Sequence, residues 1–176
     1  MRLIALFVFV FVFVFMTGYS MTDSSAKAAG KYLLLTTSQG PIKIELLPDL
    51  APNHVARISA LADEGFYDGI IFHRVIPGFM AQTGDPTGTG MGGSGEKLKA
   101  EFTDYPYREG TVGMARAMNP DSADSQFFIC FDGCGHLTGQ YTVWGQVVEG
   151  MDTVYKITPG EPPATPDRIL SAALSD

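Results

Sequence analysis

Residues 72–85 read FHRVIPGFMAQTGD. This segment, interrupted by Pro77-Gly78, carries one arginine (Arg74), two large apolar side chains (Phe79 and Met80) and one amide (Gln82). An arginine on an alternating strand ordinarily belongs to a solvated face. The same texture extends outward from it. From Ile70 onward, short apolar runs (IIFHRVI, GTVGMARA, SQFFICF, YTVWGQVV) recur between Gly-rich turns. Short strands with frequent turns favour a β-sandwich or barrel over a helical bundle.

Upstream, residues 31–48 read KYLLLTTSQGPIKIELLP. Two strand-like runs flank Gln39-Gly40, and Ile42, Ile44 and Leu46 alternate with Lys43 and Glu45. The pattern predicts a hairpin whose second strand buries one face. Residues 51–64 predict a helix, with Pro52 in its first turn, an apolar stripe of Val55, Ile58, Leu61 and Ala62, and Gly65 to end it. A short second helix is expected after Gly150, over residues 151–156. The tail from Pro159 to Pro166 holds four prolines and cannot be helical throughout. There is no internal repeat and no linker, so residues 29–176 read as one domain.

Composition removes several classes of function. The chain has 176 residues and a formal charge of −7, from 12 Lys+Arg and 19 Asp+Glu. It lacks the basic stripe a nucleic-acid binder needs to displace counterions from phosphates. Two cysteines cannot make a disulfide scaffold or a four-thiolate zinc site. Fourteen consecutive apolar residues, LIALFVFVFVFVFM at 3–16, follow a single Arg2. A membrane-spanning helix needs about 20, whereas this length suits the core of a signal peptide. Ala26-Lys27-Ala28 is a small-x-small pattern that permits cleavage before Ala29. The expectation is therefore a signal peptide over residues 1–28, export, and a periplasmic location in a Gram-negative source. An uncleaved N-terminal membrane tether is the alternative. The remaining 148 residues carry 10 Lys+Arg and 18 Asp+Glu, enough chain to bury one substantial core.

Several constellations weaken on inspection. Residues 84–95, GDPTGTGMGGSG, contain G-x-G-x-x-G twice, but no helix start follows and no G-K-[ST] is present, so a flexible surface loop is expected. His54, His73 and His136 lack metal-ligand spacing. Ser125 could join His73 and an aspartate in a hydrolase triad, but no nucleophile elbow surrounds any serine. Cys130, in an apolar strand, reads first as a small buried hydrophobe. A bridge to Cys134 is the alternative, and needs Cα atoms within about 7 Å. Three features lie downstream of Arg74: Ala115-Arg116, Gln126-Phe127-Phe128, and His136-Leu137 followed by Tyr141. If their strands converge, they form an apolar pocket with a few polar donors and neither metal nor nucleophile. Such a pocket binds a neutral group, or catalyses a reaction without covalent chemistry.

At these residues the chain resembles the cyclophilins, a family of peptidyl-prolyl cis–trans isomerases. YDGIIFHRVIPGFMAQTGDPTGTGMGG and GMARAMNPDSADSQFFIC are close to the family signature, and the resemblance covers about residues 31–169. YTVWGQVVEGMD, with Arg116 and Tyr141, is similar to the bacterial branch. The resemblance implies a mainly β fold, a closed eight-stranded antiparallel β-barrel capped by two helices. It implies isomerisation of X-Pro bonds in folding proteins, with Arg74 catalytic. Phe79, Met80, Phe128 and Leu137 match the proline-ring pocket, and Gln82 the residue that orients the arginine and substrate. Ala115 and Arg116 match an Ala-Asn pair beside the peptide backbone, and Gln126 a polar residue of the groove. Tyr141 and His136 occupy positions that are His and Trp in eukaryotic members. That tryptophan is associated with tight cyclosporin binding, so weak cyclosporin sensitivity is expected. No cofactor or metal is implied. The expected partners are proline-containing peptides and unfolded or folding proteins, and the expected state is a monomer. A Pro-peptide-binding module without turnover is the alternative function.

Overall fold

The computed structural model describes residues 31–176; the expected signal peptide and its cleavage site lie outside the described residues. Its strands are β1 (Tyr32–Thr37), β2 (Gly40–Leu46), β3 (Arg74–Ile76), β4 (Met80–Thr83), β5 (Thr111–Met114), β6 (Phe127–Cys130), β7 (Val143–Glu149) and β8 (Ile169–Ser175). The helices are α1 (Pro52–Asp63) and α2 (Met151–Val154), with 3-10 turns at Pro120–Ser122 and Gly135–Leu137. All eight strands belong to one antiparallel sheet in the order β3-β4-β6-β5-β7-β2-β1-β8.

The sheet curls but its ladder stays open, so the closed barrel expected from the resemblance is met only as a curled eight-stranded sheet. β3 and β8 end the ladder and do not pair. The chain just before β3 does meet the start of β8 and the residues that lead into it. Gly69 and Phe72 donate backbone N–H groups to Ile169 and Asp167, each at 2.8 Å, and Ile169 donates back to Ile70. Strand β8, paired with β1, lies beyond the strand runs read from the sequence. Its ILSAALS has small residues in place of the β-branched alternation that marks a strand.

The expected hairpin is present, with Leu35 opposite Ile42 and Leu33 opposite Ile44. Ile42, Ile44 and Leu46 are buried, as alternation requires. Helix α1 buries its whole predicted stripe of Val55, Ile58, Leu61 and Ala62. Ala51 makes no side-chain cap; the Glu101 carboxylate takes that role from a distant loop, accepting from the N–H groups of Asn53 and His54. An anion there satisfies orphan donors and complements the helix dipole. The second helix is one turn, shorter than the 151–156 expected. It starts at Gly150 with φ 95°, where a Cβ would strike the Pro41 carbonyl, so only glycine fits.

Strand β6 shows how the sequence feeds two cores. Phe127 and Ile129 point into the main cluster, beside Tyr67, Trp144 and the buried face of α1. Phe128 and Cys130 point the other way, into a second cluster with Met80, Tyr107, Cys134, Leu137 and Val143. Both faces are covered, which is why FFIC reads as a continuous apolar run. Fully burying each such side chain contributes roughly 1.5–3 kcal/mol. The second cluster is the floor of the candidate site.

Cys130 and Cys134 correct the first reading of Cys130 as a free buried hydrophobe. They are bridged, with Cα atoms 6.0 Å apart; the turn after β6 is held on the β3–β4 turn, where Phe131 and Gly133 donate N–H groups to the carbonyls of Phe79 and Gly78 at 2.9 Å.

Candidate active site

Antiparallel register assembles the site from residues far apart in sequence. Arg74 lies opposite Gln82, Gln82 opposite Phe128, and Phe128 opposite Gly113. Directly opposed residues share a sheet face, so this row crosses four strands on the face away from the main core. Two residues along β4 from Gln82, Met80 sits on the same face, opposite both Ile76 and Cys130. Gly113 is required in the row. A Cβ there would meet the Tyr107 hydroxyl, and the Tyr107 ring stacks on Phe128 at 5.8 Å.

Above this row opens a cavity of about 390 Å³, the size of a small-ligand site. Phe79, Met80, Phe128 and Leu137 form its apolar part with Ala115; Arg74, Gln82, Arg116, His136 and Tyr141 bring polar atoms. Ten of the eleven residues expected from the sequence therefore line one cavity. His136 stacks on Phe79 with ring centroids 5.4 Å apart, and Tyr141 meets the Phe128 ring edge-on at 5.8 Å. The 3-10 turn Gly135–Leu137 presents His136 and Leu137 together, and the disulfide ties its N-cap, Cys134, to β6.

The eleventh residue, Gln126, is placed differently. It is buried behind the cavity and lines an adjoining groove of about 260 Å³ that shares Gln82, Ala115 and Arg116. Its amide is fully used: the oxygen accepts from Gln82 Nε2 at 2.9 Å, and its NH₂ donates to the carbonyls of Gly90 and Gly92. Gln126 thus links Gln82 to the glycine-rich loop.

That loop is not the flexible loop expected. The Asp85 carboxylate accepts from the N–H groups of Thr87, Gly90 and Gly92 and from the Thr87 hydroxyl. These are the backbone donors a phosphate would use, and the chain supplies its own anion to them. Burial alone would raise the Asp85 pKa, but these hydrogen bonds outweigh it and bring the value to about 2. Asp124 pins the loop's far end by accepting from Ser94 and Lys97. The Ser125 hydroxyl donates to the Gly84 carbonyl at 2.7 Å inside the protein, which is no arrangement for a nucleophile. His73 is buried beside Gly90, and burial lowers its pKa against the pull of Asp85, so it is neutral at pH 7.

Arg74 and Arg116 differ sharply. The Arg116 guanidinium donates to the carbonyls of Gln140, Ala117 and Met118, and its donors serve the protein's own backbone. Arg74 Nη1 faces the cavity, 3.5 Å from Gln82 Oε1 and 3.9 Å from Met80 Sδ, while Nε donates to Glu161 at 2.9 Å. Its Nη2 makes no hydrogen bond among the described residues. The sequence reading missed Gln140, which lines the cavity and accepts from Arg116, and Glu161. Neither stands in a motif; only the fold brings each to its arginine.

The site therefore offers an apolar pocket beside an arginine with unspent donors. Among the described residues no cluster of His, Cys, Asp and Glu could hold a metal ion.

Comparison with known proteins agrees with this geometry. Residues 32–174 match the family model described as cyclophilin type peptidyl-prolyl cis-trans isomerase/CLD. A probable peptidyl-prolyl cis-trans isomerase of Brucella suis is 48% identical over 168 residues, covering 86% of each chain. Peptidyl-prolyl cis-trans isomerase B of Bacillus subtilis is 45% identical over 122 residues, 68% of this chain and 85% of that one. A cyclophilin from Hirschia baltica superposes with TM-score 0.77 at 31% identity, covering 82% of this chain and 74% of that one. A Cryptosporidium parvum cyclophilin, crystallised in the presence of the dipeptide Ala-Pro, gives 0.77 at 31% identity, covering 82% and 99%.

Proposed function

The chain belongs to the cyclophilin-type peptidyl-prolyl cis–trans isomerases, and on that premise we propose that Arg74 is its catalytic residue, acting on X-Pro bonds of exported proteins as they fold. The observation that carries this reading is the juxtaposition of the unspent Arg74 donors with the apolar pocket of Phe79, Met80, Phe128 and Leu137.

The chemistry follows from the bond. The amide C–N before proline has partial double-bond character, and its rotation barrier is about 18–20 kcal/mol. Uncatalysed exchange takes tens to hundreds of seconds. As the bond twists, the prolyl nitrogen loses conjugation, becomes pyramidal and accepts a hydrogen bond it could not accept when planar. The pocket holds the proline ring, and Arg74 donates to that nitrogen and to the nearby carbonyl oxygen. The guanidinium stays charged and presents its donors in a rigid fork, so it favours the twisted state over both planar ones. This is differential binding of a transition state with no covalent step. Phe79, Met80, Phe128 and Leu137 seat the ring, with His136 and Tyr141 closing its sides. The Ala115 N–H is already given to Gln126, so main-chain recognition of the peptide falls to the Ala115 carbonyl and residue 116.

Ala-Pro, the dipeptide present with the Cryptosporidium relative, is the smallest ligand of this chemistry, and we assign proline-containing peptides as ligands here. Export is supported by the apolar run at residues 3–16. An N-terminus near Ala29, found by mass spectrometry of protein from its native host, would establish it, and an intact N-terminus would establish the tether instead.

The direct test is NMR exchange spectroscopy of a short X-Pro peptide with the protein and with Arg74→Ala. Catalysis by the first, reduced about 100-fold or more in the variant with an unchanged circular dichroism spectrum, is the expected result. Equal exchange rates would remove Arg74 from the mechanism.

A further inference from the structure

Arg74 is gripped from the side away from the cavity. Beyond the edge of β3, Val75 and Gly160 exchange backbone hydrogen bonds at 2.8 and 3.0 Å as an antiparallel bridge. Counting one residue each way from that bridge sets Arg74 opposite Glu161, just as the β3–β4 register sets it opposite Gln82. The row across the sheet is thus longer by one member, reading Glu161, Arg74, Gln82, Phe128.

The two neighbours hold the guanidinium unequally. Glu161 Oε2 accepts from Nε at 2.9 Å, a charge-assisted bond of ordinary length. Gln82 Oε1 stands 3.5 Å from Nη1, at the limit of a hydrogen bond, and the same amide is drawn toward Gln126 at 2.9 Å. Resting on the reading that Arg74 is catalytic, we infer that Glu161 is its positioning residue, orienting the guanidinium plane so that Nη1 and Nη2 address the twisting bond.

Three observations support this assignment. Glu161 does not line the cavity, so it acts through Arg74 and not on the peptide. Its loop is anchored independently: Asp167 accepts from the Thr158 N–H and hydroxyl, from Ser38 and from Gln39, so the carboxylate is presented from a held backbone. The side chains of Arg74 and Glu161 are 38% and 54% exposed. An ion pair so open to solvent adds little to stability, which leaves orientation as its effect.

The test uses the full chain with Glu161→Ala and Glu161→Gln, the latter retaining an acceptor oxygen, in the same peptide exchange assay. Expected for Glu161→Ala is a fall in kcat of about fivefold to tenfold with KM unchanged. Its Arg74 Nε–H resonance should shift and exchange faster with solvent, while Glu161→Gln recovers most of the rate. In an Arg74→Lys background, Glu161→Ala should cost nothing further. Unchanged or increased kcat, or a change confined to KM, would overturn the inference. Equal losses in both variants accompanied by a lower Tm would overturn it too, by showing that Glu161 only braces its loop. Absence of catalysis by the unaltered protein is a separate result, visible before any Glu161 variant is made; it would remove the isomerase reading of Arg74 and this inference with it.

Discussion

The guanidinium of Arg116 lies 4.5 Å from the ring centroid of Tyr141 while donating to the Gln140 carbonyl at 2.9 Å and the Ala117 carbonyl at 2.9 Å. One side chain therefore ties the segment after β5 to the loop before β7, the two walls that flank the cavity. The resemblance places Asn at this position, and the structure shows what the larger arginine does: it braces the two walls of the cavity. Arg116→Ala should raise KM for an X-Pro peptide roughly fivefold, from the loss of about 1 kcal/mol of stacking and hydrogen bonding, with kcat less affected. Arg116→Lys should recover little, because an ammonium cannot serve several carbonyls in one plane. Peptide titration by NMR checks both. Unchanged affinity in Arg116→Ala would show that the walls hold without it.

Cyclosporin should inhibit weakly. His136 stands at the position where the resemblance places the tryptophan of cyclosporin-sensitive members, and its ring is spent stacking on Phe79. His136→Trp should tighten inhibition roughly tenfold or more, about 1.4 kcal/mol from one larger aromatic anchor. Nanomolar inhibition of the unaltered protein would contradict this.

Reducing the Cys130–Cys134 bridge should lower stability and loosen the site together. The bridge closes a loop only four residues in separation, so the chain-entropy effect is at the small end, about 2 kcal/mol. For a domain of this size that corresponds to a Tm decrease of about 4–8 °C. Cys134 also caps the turn carrying His136 and Leu137, and its Sγ lies 3.1 Å from the Phe79 carbonyl oxygen. KM should therefore rise on reduction. Calorimetry and kinetics with and without a phosphine reductant, using Cys134→Ala as control, provide the measurement. An unchanged Tm would place the bridge outside the stabilising interactions.

Acid should weaken the glycine-rich loop through Asp85. Its pKa falls from 3.8 to about 2 on folding, so the unfolded chain takes up the proton first. The stabilisation is fully present above pH 3.8 and lost as pH falls toward 2. Its size is on the order of 2 kcal/mol, for a carboxyl that is almost wholly buried. Asp124, Asp167 and Glu101 are likewise lowered and act in the same direction. In denaturant titrations, the stability gap between the protein and Asp85→Asn should be widest near neutrality and close as pH approaches 2. A constant gap would mean the charge of Asp85 is not what holds the loop.

Local pattern carried a good deal of this protein. The alternation in residues 42–46 and the stripe of α1 were enough for the hairpin and the helix, because each is a short-range periodicity. Ten of the cavity's lining residues followed from the family resemblance, seven of them inside the two signature blocks and His136, Leu137 and Tyr141 beyond them. Strand β8 was not legible, since its small residues become a strand only by pairing with β1. The bridge of Cys130 and Cys134 lies at a turn held through backbone bonds to Gly78 and Phe79.

Residue types and their order along the chain thus determined that a charged fork, an amide and four apolar side chains would be available, on a chain of short strands broken by frequent turns. Tertiary structure alone decided which groups remain free. Arg74 and Arg116 are the same residue in sequence. One has backbone carbonyls within reach on its loop and is consumed by them; the other stands in a cross-strand row between Glu161 and Gln82, with donors left over beside an apolar pocket. Part of that difference is local, in the Ala117 carbonyl beside Arg116, but the rest lies in register and in contacts to Gln140 and Glu161, 24 and 87 positions away, which no local pattern encodes.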